Sequence, residues 1–444
     1  MNKKKIYFIG IGGIGMSSLA RFYKSQNWAV YGSDGFDTII TKDLKKDGFK
    51  VKIGQSSANI PAGIDLFVYT QAVQPQNEEF VFAKSTGREV LSYPQALGRL
   101  TSRFRTVAIC GAHGKSTTTA MVGKILIDAK IDPTIILGTK VDYLDGSNFR
   151  LGQSKVLLIE SDEYGAAFLN YFPEVAVILN IDKEHLDFYG NFAKVKSTFL
   201  KFAENIKSGG VLILNQDDKT VVSLTPRFEK IARRRKFKII KFALNKKNSP
   251  ELKKNISLSG VHNLSNALGA IKVAEVLGVD FTESLKSLSK FNGVWRRMQF
   301  RGKFAGTDVY DDYAHHPSEI SASLLGLRQK YPQAKIICVF QPHQAKRVQS
   351  LFKEFIKSLS NVDFGVILPI YMVAGRDLEK VKYDSPLLVK SLVKKHKNKK
   401  FIYLEDKNNL AGELKKYVSE NKNCVIVMMG AGSIFEATSE LVTG

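Results

Sequence analysis

The 444-residue sequence predicts an α/β protein of three domains, and three observations carry that reading. Short apolar runs bounded by turns alternate with helical patterns along most of the chain, as parallel α/β architecture requires. Two glycine-rich loops, GIGGIG at 10–15 and GAHGKS at 111–116, each follow a strand-like run and open a helical one. A further series of strand-like runs begins beyond Gly293. The expected boundaries lie near residues 98 and 294, giving segments 1–98, 99–293 and 294–444.

In the first segment KKIYFIG reads as a strand and MSSLARFYKSQ as the helix after the glycine turn, with AVYGSD and DLFVYTQA as later strands. The second segment opens with TVAIC, a strand running into the 111–116 loop, followed by the helix TTTAMVGKILIDAK. KVLLIESDE and EVAVILNID are two more buried strands, each ending in acidic residues. In the third segment TDVYDDYA, KIICVFQPH, FGVILPIYM, KFIYL and NCVIVMMGAG have strand character, with helical stretches between them.

Composition narrows the function classes. Hydrophobic residues at 44% and charged residues at 24% describe an ordinary globular protein. No apolar run approaches the ~20 residues that span a bilayer, and MNKKKIYFIG passes from lysines directly into a strand without the apolar core of a secretory signal. Cys110, Cys338 and Cys424 lie far apart beside apolar runs, as buried thiols of a reducing compartment do. A cytoplasmic protein without a membrane role is expected. The net charge of +24 comes from scattered basic residues, RRRK at 233–236 being the tightest cluster. These do not interleave with aromatics, so an anionic small substrate is preferred to nucleic acid.

The motifs carry the chemistry. Gly10 to Gly15 with Asp34 at the end of the next strand fits a dinucleotide fingerprint, in which helix N-terminal amides face a phosphate and the acid a ribose. A tight turn without a ligand has the same pattern, so NAD, FAD and a bare turn all stay open. The 111–116 loop is a P-loop shortened between its glycines: Lys115 is placed for the outer phosphates of ATP and Ser116 for magnesium. Glu160, with Asp162 and Glu163 beside it, and His185 follow successive strands at the edge where open α/β sheets bind ligands. With phosphate oxygens they would complete a magnesium site. HNLSN at 262–266, DDYAHHP at 311–317 and FQPH at 340–343 are polar stretches beside helices or strands, where capping and ligand contact are both available.

Together, GIGGIGMSSLA, GSD, GAHGKSTTT, ESDEYGAAFL, NIDKEHLDFYG, GVHNLSNALGA, WRRMQFRG, DDYAHHPSEI, FQPH and GAGSI, in this order, resemble the Mur ligase family over almost the whole chain. The resemblance implies an N-terminal Rossmann-like UDP-binding domain, a central P-loop ATPase-like domain and a C-terminal Rossmann-like α/β domain that closes on the other two. It implies ATP-dependent amide formation between UDP-N-acetylmuramate and L-alanine through an acyl phosphate, with ATP and magnesium as cofactors, by a monomer or weak dimer. It places the UDP-sugar at Gly12, Gly13, Ile14, Gly15, Met16, Ser33 and Asp34. ATP falls to Gly111, Ala112, His113, Gly114, Lys115, Ser116, Thr117, Asn266, Arg297 and Asp312, and magnesium to Ser116, Glu160 and His185. Lys115, Glu160 and His185 are the implied catalytic set, and Tyr313, His315, His343 and Arg347 line the amino-acid and muramyl side.

Several positions depart from the family pattern. The stretch from Asn215 to His262 is short, Ser433 replaces an acid, and DEY at 162–164 is similar to the relative that attaches a tripeptide. Gln344 stands where an arginine is usual; in an irregular loop, Lys346 would supply the missing cation. An NAD-dependent oxidoreductase leaves the GKS loop unused, and a basic binding module leaves all these motifs unused.

Overall fold

The computed structural model describes residues 3–258, 260–372 and 383–443. They form three sheets. The first holds β1 (Lys5–Ile9), β2 (Ala29–Asp34), β3 (Lys50–Ile53), β4 (Leu66–Tyr69) and β5 (Glu89–Ser92), all parallel in the order β3-β2-β1-β4-β5. The second holds β6 (Arg105–Cys110), β7 (Thr134–Val141), β8 (Ser147–Arg150), β9 (Val156–Ser161), β10 (Val175–Ile178), β11 (Val211–Asn215) and β12 (Lys238–Phe242). Its order is β12-β11-β10-β6-β9-β7-β8, with β8 antiparallel at one edge. The third holds β13 (Gln299–Phe304), β14 (Thr307–Asp312), β15 (Lys335–Phe340), β16 (Phe364–Ile367), β17 (Lys400–Tyr403) and β18 (Cys424–Met429), ordered β13-β14-β18-β15-β16-β17. β13 is its antiparallel member.

The strands form where near-continuous apolar runs are covered by helices on both faces. Val107 to Cys110 and Leu157 to Ile159 are fully buried, as are Ile336 to Phe340 and Val425 to Met429. In the first sheet the strand order reverses at β1, and in the second β6 lies between β9 and β10. Ligands of open α/β sheets sit outside the carboxyl ends of strands at such switch points. Both glycine loops leave there.

The chain forms two compact units, Met1–Ser257 with Leu264–Asn292, and Leu258–Asn263 with Gly293–Gly444. The first two sheets share one unit. Residue 98, the expected first boundary, falls inside the helix Tyr93–Arg103, which Ser92 and Gln95 cap reciprocally. Gly98 there lies so close to the Asn170 carbonyl that no side chain fits between them. The short stretch after Asn215 still completes the second sheet, adding the helix Lys219–Arg235 and edge strand β12. No helix among the described residues is long and apolar enough to cross a membrane.

Candidate active site

The first loop is held by its own glycines. Gly10 adopts φ +82°, and the N–H groups of Gly10 and Ile11 both donate to the Ser33 carbonyl at 2.9 Å. The Gly12 N–H donates to Asp34 Oδ2 at 2.8 Å. A Cβ on Gly12 would stand 2.8 Å from that oxygen, and one on Gly15 would stand 2.7 Å from the Tyr93 hydroxyl. The helix Ile14–Ser25 then starts at Gly13 without a side-chain cap, which leaves its first amides to the loop and to an anion. Burial raises the Asp34 carboxyl above its ordinary range, against the pull of the Phe36 and Gly12 amides. Two of the residues expected at the UDP-sugar face inward. Met16 is in the core, and the buried Ser33 hydroxyl donates to Glu79.

At the second loop, which follows β6, Gly111 adopts φ +142° and Gly114 φ +84°, conformations that L side chains avoid. A Cβ on Gly114 would collide with the Asn266 amide, so that expected nucleotide residue lies at the loop. Asn180 clamps the turn: its side chain accepts from the His113 N–H at 2.8 Å and donates to the His113 carbonyl at 2.9 Å. Lys115, at the head of the helix Lys115–Asp128, folds back so that Nζ donates to the Gly111 carbonyl at 2.7 Å and to Glu163 Oε2 at 2.8 Å. Ser116 donates to Glu160 Oε2 at 2.9 Å, and the Gly138 N–H donates to Glu160 Oε1 at 2.7 Å. Thr117, the last residue of the expected set on this loop, is buried.

His185 adopts φ +57° and its Nε2 lies 3.5 Å from Glu163 Oε1, with the Tyr164 ring edge-on at 4.9 Å. The expected magnesium ligands thus fall into two groups, Ser116 with Glu160, and His185 with Glu163 and Asp162. Ligand atoms of the latter three lie within 4.8 Å of one another. Although burial opposes it, the charge of Lys115 and contact with His185 hold the Glu163 carboxyl down at about 2. Burial lowers the His185 pKa, but Glu163 outweighs it and the imidazole is raised overall. In the sequence Glu163 reads as an acidic flank of Glu160. The turn after β9, with Gly165 and Ala166 both at positive φ, is what directs it to Lys115. Carboxylate and hydroxyl oxygens suit magnesium, and Glu163 Oε1 is buried without a hydrogen bond. The donor set fits the ion.

In the third sheet's unit, β14 ends at Asp312, which is 2% exposed. Its Oδ1 accepts from the Ala314 N–H at 2.7 Å, and its Oδ2 from Ser323 Oγ at 2.8 Å and the Met298 N–H at 3.2 Å. This residue, expected at ATP, is therefore also the anchor of the turn after β14. Arg297 donates to Glu319 at 3.2 Å and lies over the Tyr313 ring at 5.2 Å. His315 stands edge-on to Tyr313 at 5.3 Å and to His343 at 5.8 Å, and His343 stacks on Tyr371 at 5.5 Å. Arg347 Nη1 lies 3.4 Å from the His343 ring nitrogen. Tyr313, His315, His343 and Arg347 are thus one cluster. Burial, then the Arg347 charge, holds the His315 pKa well below its ordinary value, so the imidazole is neutral.

One expectation is corrected. Gln344 is not followed by an irregular loop: it caps the helix Ala345–Ser350 from φ +65°, and Lys346 is an exposed residue of its first turn. Positions two apart on a helix do not share a face. The irregular loop expected to bring Lys346 beside Gln344 is therefore a helical turn.

Residues 5–105 match the Mur ligase family, catalytic domain; residues 109–274 match the Mur ligase middle domain; residues 296–432 match the Mur ligase, glutamate ligase domain. The UDP-N-acetylmuramate–L-alanine ligase of Agathobacter rectalis is 36% identical, covering 98% of this chain and 97% of its own. That of Aquifex aeolicus is 35% identical, covering 99% and 97%. Among solved structures, the UDP-N-acetylmuramate-alanine ligase of Thermotoga maritima has a TM-score of 0.80 at 28% identity, covering 99% and 98%. A murein peptide ligase from Psychrobacter arcticus shares the fold, with a TM-score of 0.71 at 22% identity.

Proposed function

This chain belongs to the Mur ligase family, and we propose that it is the member that joins L-alanine to the lactyl carboxylate of UDP-N-acetylmuramate with hydrolysis of ATP to ADP and phosphate. The observation that carries the reading is the presence of two nucleotide loops in one compact unit. One is an uncapped helix N-terminus behind Gly10–Gly15; the other is a P-loop whose lysine and serine rest on Glu163 and Glu160. Two anionic nucleotides need two such cradles. That is why one chain carries both.

The chemistry runs in two steps. A lactyl carboxylate oxygen bonds to the γ-phosphorus as the bond to ADP breaks, giving an acyl phosphate. The amine of L-alanine then bonds to the acyl carbon, phosphate leaves, and the nitrogen gives up a proton. Bringing a carboxylate to a triphosphate is opposed by charge, and Lys115 leaves Glu163 for the phosphate oxygens to offset it. Magnesium would be held by Ser116, Glu160 and His185 with Glu163 beside them, and supplies positive charge there. Asn266 serves the adenine, Arg297 the phosphates and Asp312 the ribose. Tyr313, His343 and Arg347 orient the acyl and amino-acid groups. His315, kept neutral by burial and the Arg347 charge, presents an uncharged imidazole beside Tyr313 and His343 on the amino-acid side.

The test is phosphate release from ATP and magnesium with UDP-N-acetylmuramate, with and without L-alanine. Release that needs both substrates is the expected result. Faster turnover with a tripeptide than with L-alanine would assign the protein to peptide attachment instead.

A further inference from the structure

The hairpin of β7 and β8 touches the surroundings of both loops, and no step above uses it. Asn148, in β8, is 1% exposed. Its Nδ2 donates to the Ile14 carbonyl at 2.7 Å and to Ser17 Oγ at 3.0 Å, and its Oδ1 accepts from Arg21 Nη1 at 2.8 Å. Its own carbonyl accepts from Ser18 Oγ at 2.8 Å. Ile14, Ser17, Ser18 and Arg21 are spaced i, i+3, i+4 and i+7, one face of the helix that starts at the first glycine loop. A buried amide with both ends engaged is directional and costly to disturb.

The other strand of the hairpin reaches the second loop. The Gly138 N–H in β7 holds Glu160 Oε1 at 2.7 Å, and a Cβ at Gly138 would stand 2.8 Å from Glu160 Oε2. Lys140, two residues on, is ion-paired with Asp43 of the helix Ile39–Lys46. The β7–β8 register shifts between Ile136 and Val141, the irregularity that frees Gly138 and Lys140 for these contacts. One hairpin is therefore fastened to the sugar-nucleotide loop's helix at Asn148 and to the Ser116–Glu160 pair at Gly138.

We propose that Asn148 is a positioning residue: through this hairpin it sets where the sugar-nucleotide loop stands relative to Glu160 and the P-loop, so that the carboxylate on one nucleotide meets the γ-phosphorus of the other. The proposal rests on the ligase reading for its two substrates. Its physical basis is that a misplacement of ~1 Å between reactants costs on the order of a hundredfold in rate.

The experiment uses the full chain and Asn148→Ala, with Ser17→Ala as a milder variant that keeps the remaining Asn148 contacts. Turnover is expressed per site that binds a non-hydrolysable ATP analogue, and the affinities for that analogue and for UDP-N-acetylmuramate are measured separately. In Asn148→Ala, kcat per ATP-binding site should fall roughly ten- to a hundredfold, while each nucleotide bound alone keeps its affinity within about threefold. Ser17→Ala should show a smaller fall of the same kind, and it alone is read if Asn148→Ala does not fold. A merely structural role predicts lower thermal stability with kcat per site unchanged, and that result overturns the proposal. Loss of affinity for UDP-N-acetylmuramate alone, with kcat intact, also overturns it by making Asn148 part of that binding site. A wild-type protein that releases no phosphate with UDP-N-acetylmuramate and L-alanine would overturn the ligase reading, and this inference with it.

Discussion

Lys115 Nζ lies 2.8 Å from Glu163 Oε2 and 2.7 Å from the Gly111 carbonyl, so the P-loop lysine is already desolvated and aimed within its own loop. Transfer of that cation to the phosphates requires no new burial, only an exchange of anionic partners. Lys115→Ala should leave the fold intact and lower kcat by at least about a hundredfold, since one phosphate-directed cation is worth roughly 3 kcal/mol in such a transition state. Steady-state phosphate release checks it. Near-normal turnover would remove Lys115 from the mechanism.

The same pair makes stability depend on pH. The folded Glu163 carboxyl, at about 2, lies below its ordinary 4.5, so the unfolded chain binds the proton more readily. Its contribution is therefore present above pH 4.5 and lost as pH falls toward 2. The magnitude is on the order of 3 kcal/mol. Glu163→Gln should be less stable than wild type by about that amount at pH 7, with the gap closing at pH 2–3. Urea unfolding at pH 7, 4 and 3 gives the answer; a gap independent of pH would show that the carboxylate charge is not what matters.

How much of this was legible in the sequence follows from how local each feature is. The P-loop was, because strand, glycines, lysine and helix are contiguous between Arg105 and Asp128. Glu163 was not, because its direction depends on the positive-φ turn at Gly165 and Ala166, and Ala166 gives no residue-type signal for such a turn. β8 and β13 went unread because they are short edge strands of mixed polar and apolar residues, and β7 because Gly138 and Lys140 interrupt its apolar run. The expected break at residue 98 falls within a helix because the close approach that packs this helix, Gly98 against the Asn170 carbonyl, joins residues 72 apart in sequence.

His185 links metal binding to pH. Its pKa is raised by Glu163, against burial, so the imidazole stays protonated to a higher pH than an ordinary histidine. A protonated ring cannot ligate magnesium, so binding must release the proton. The magnesium concentration giving half-maximal turnover should fall as pH rises from about 6.5 to 8.5. His185→Ala should lose that pH dependence, Glu160→Gln should raise the requirement on the order of tenfold and keep it, and chelation should abolish turnover. An unchanged magnesium requirement in both variants would refute the assignment.

The first loop should bind UDP and not NAD. Gly12→Ala places a methyl group against Asp34 Oδ2 and Thr41, displacing the carboxylate that holds the Gly12 amide. The KM for UDP-N-acetylmuramate should rise on the order of tenfold, as for loss of one charge-assisted contact, with the KM for ATP little changed. Calorimetry with UDP and NAD on the wild type provides the independent check, and tight NAD binding without heat from UDP would reverse the assignment.

The last prediction concerns Gln344. Its backbone sits at φ +65°, ψ +116°, held by its N–H on the Tyr371 carbonyl at 3.1 Å, and it follows His343 of the Tyr313–His315–Arg347 cluster. A non-glycine residue there carries about 1 kcal/mol or more of backbone strain, which the pairing with Tyr371 maintains. The position therefore orients a side chain firmly, and an arginine placed there has a fixed direction. Gln344→Arg should lower the KM for L-alanine or for UDP-N-acetylmuramate by roughly five- to tenfold, the worth of one charge-assisted hydrogen bond of about 1–1.4 kcal/mol. Lys346→Ala should leave both constants unchanged, because Lys346 is exposed on the first turn of the following helix. Kinetics of the two variants against both substrates separate the possibilities. If Lys346→Ala raises either KM while Gln344→Arg changes neither, the cation is supplied from the helix and Gln344 has no part in recognition.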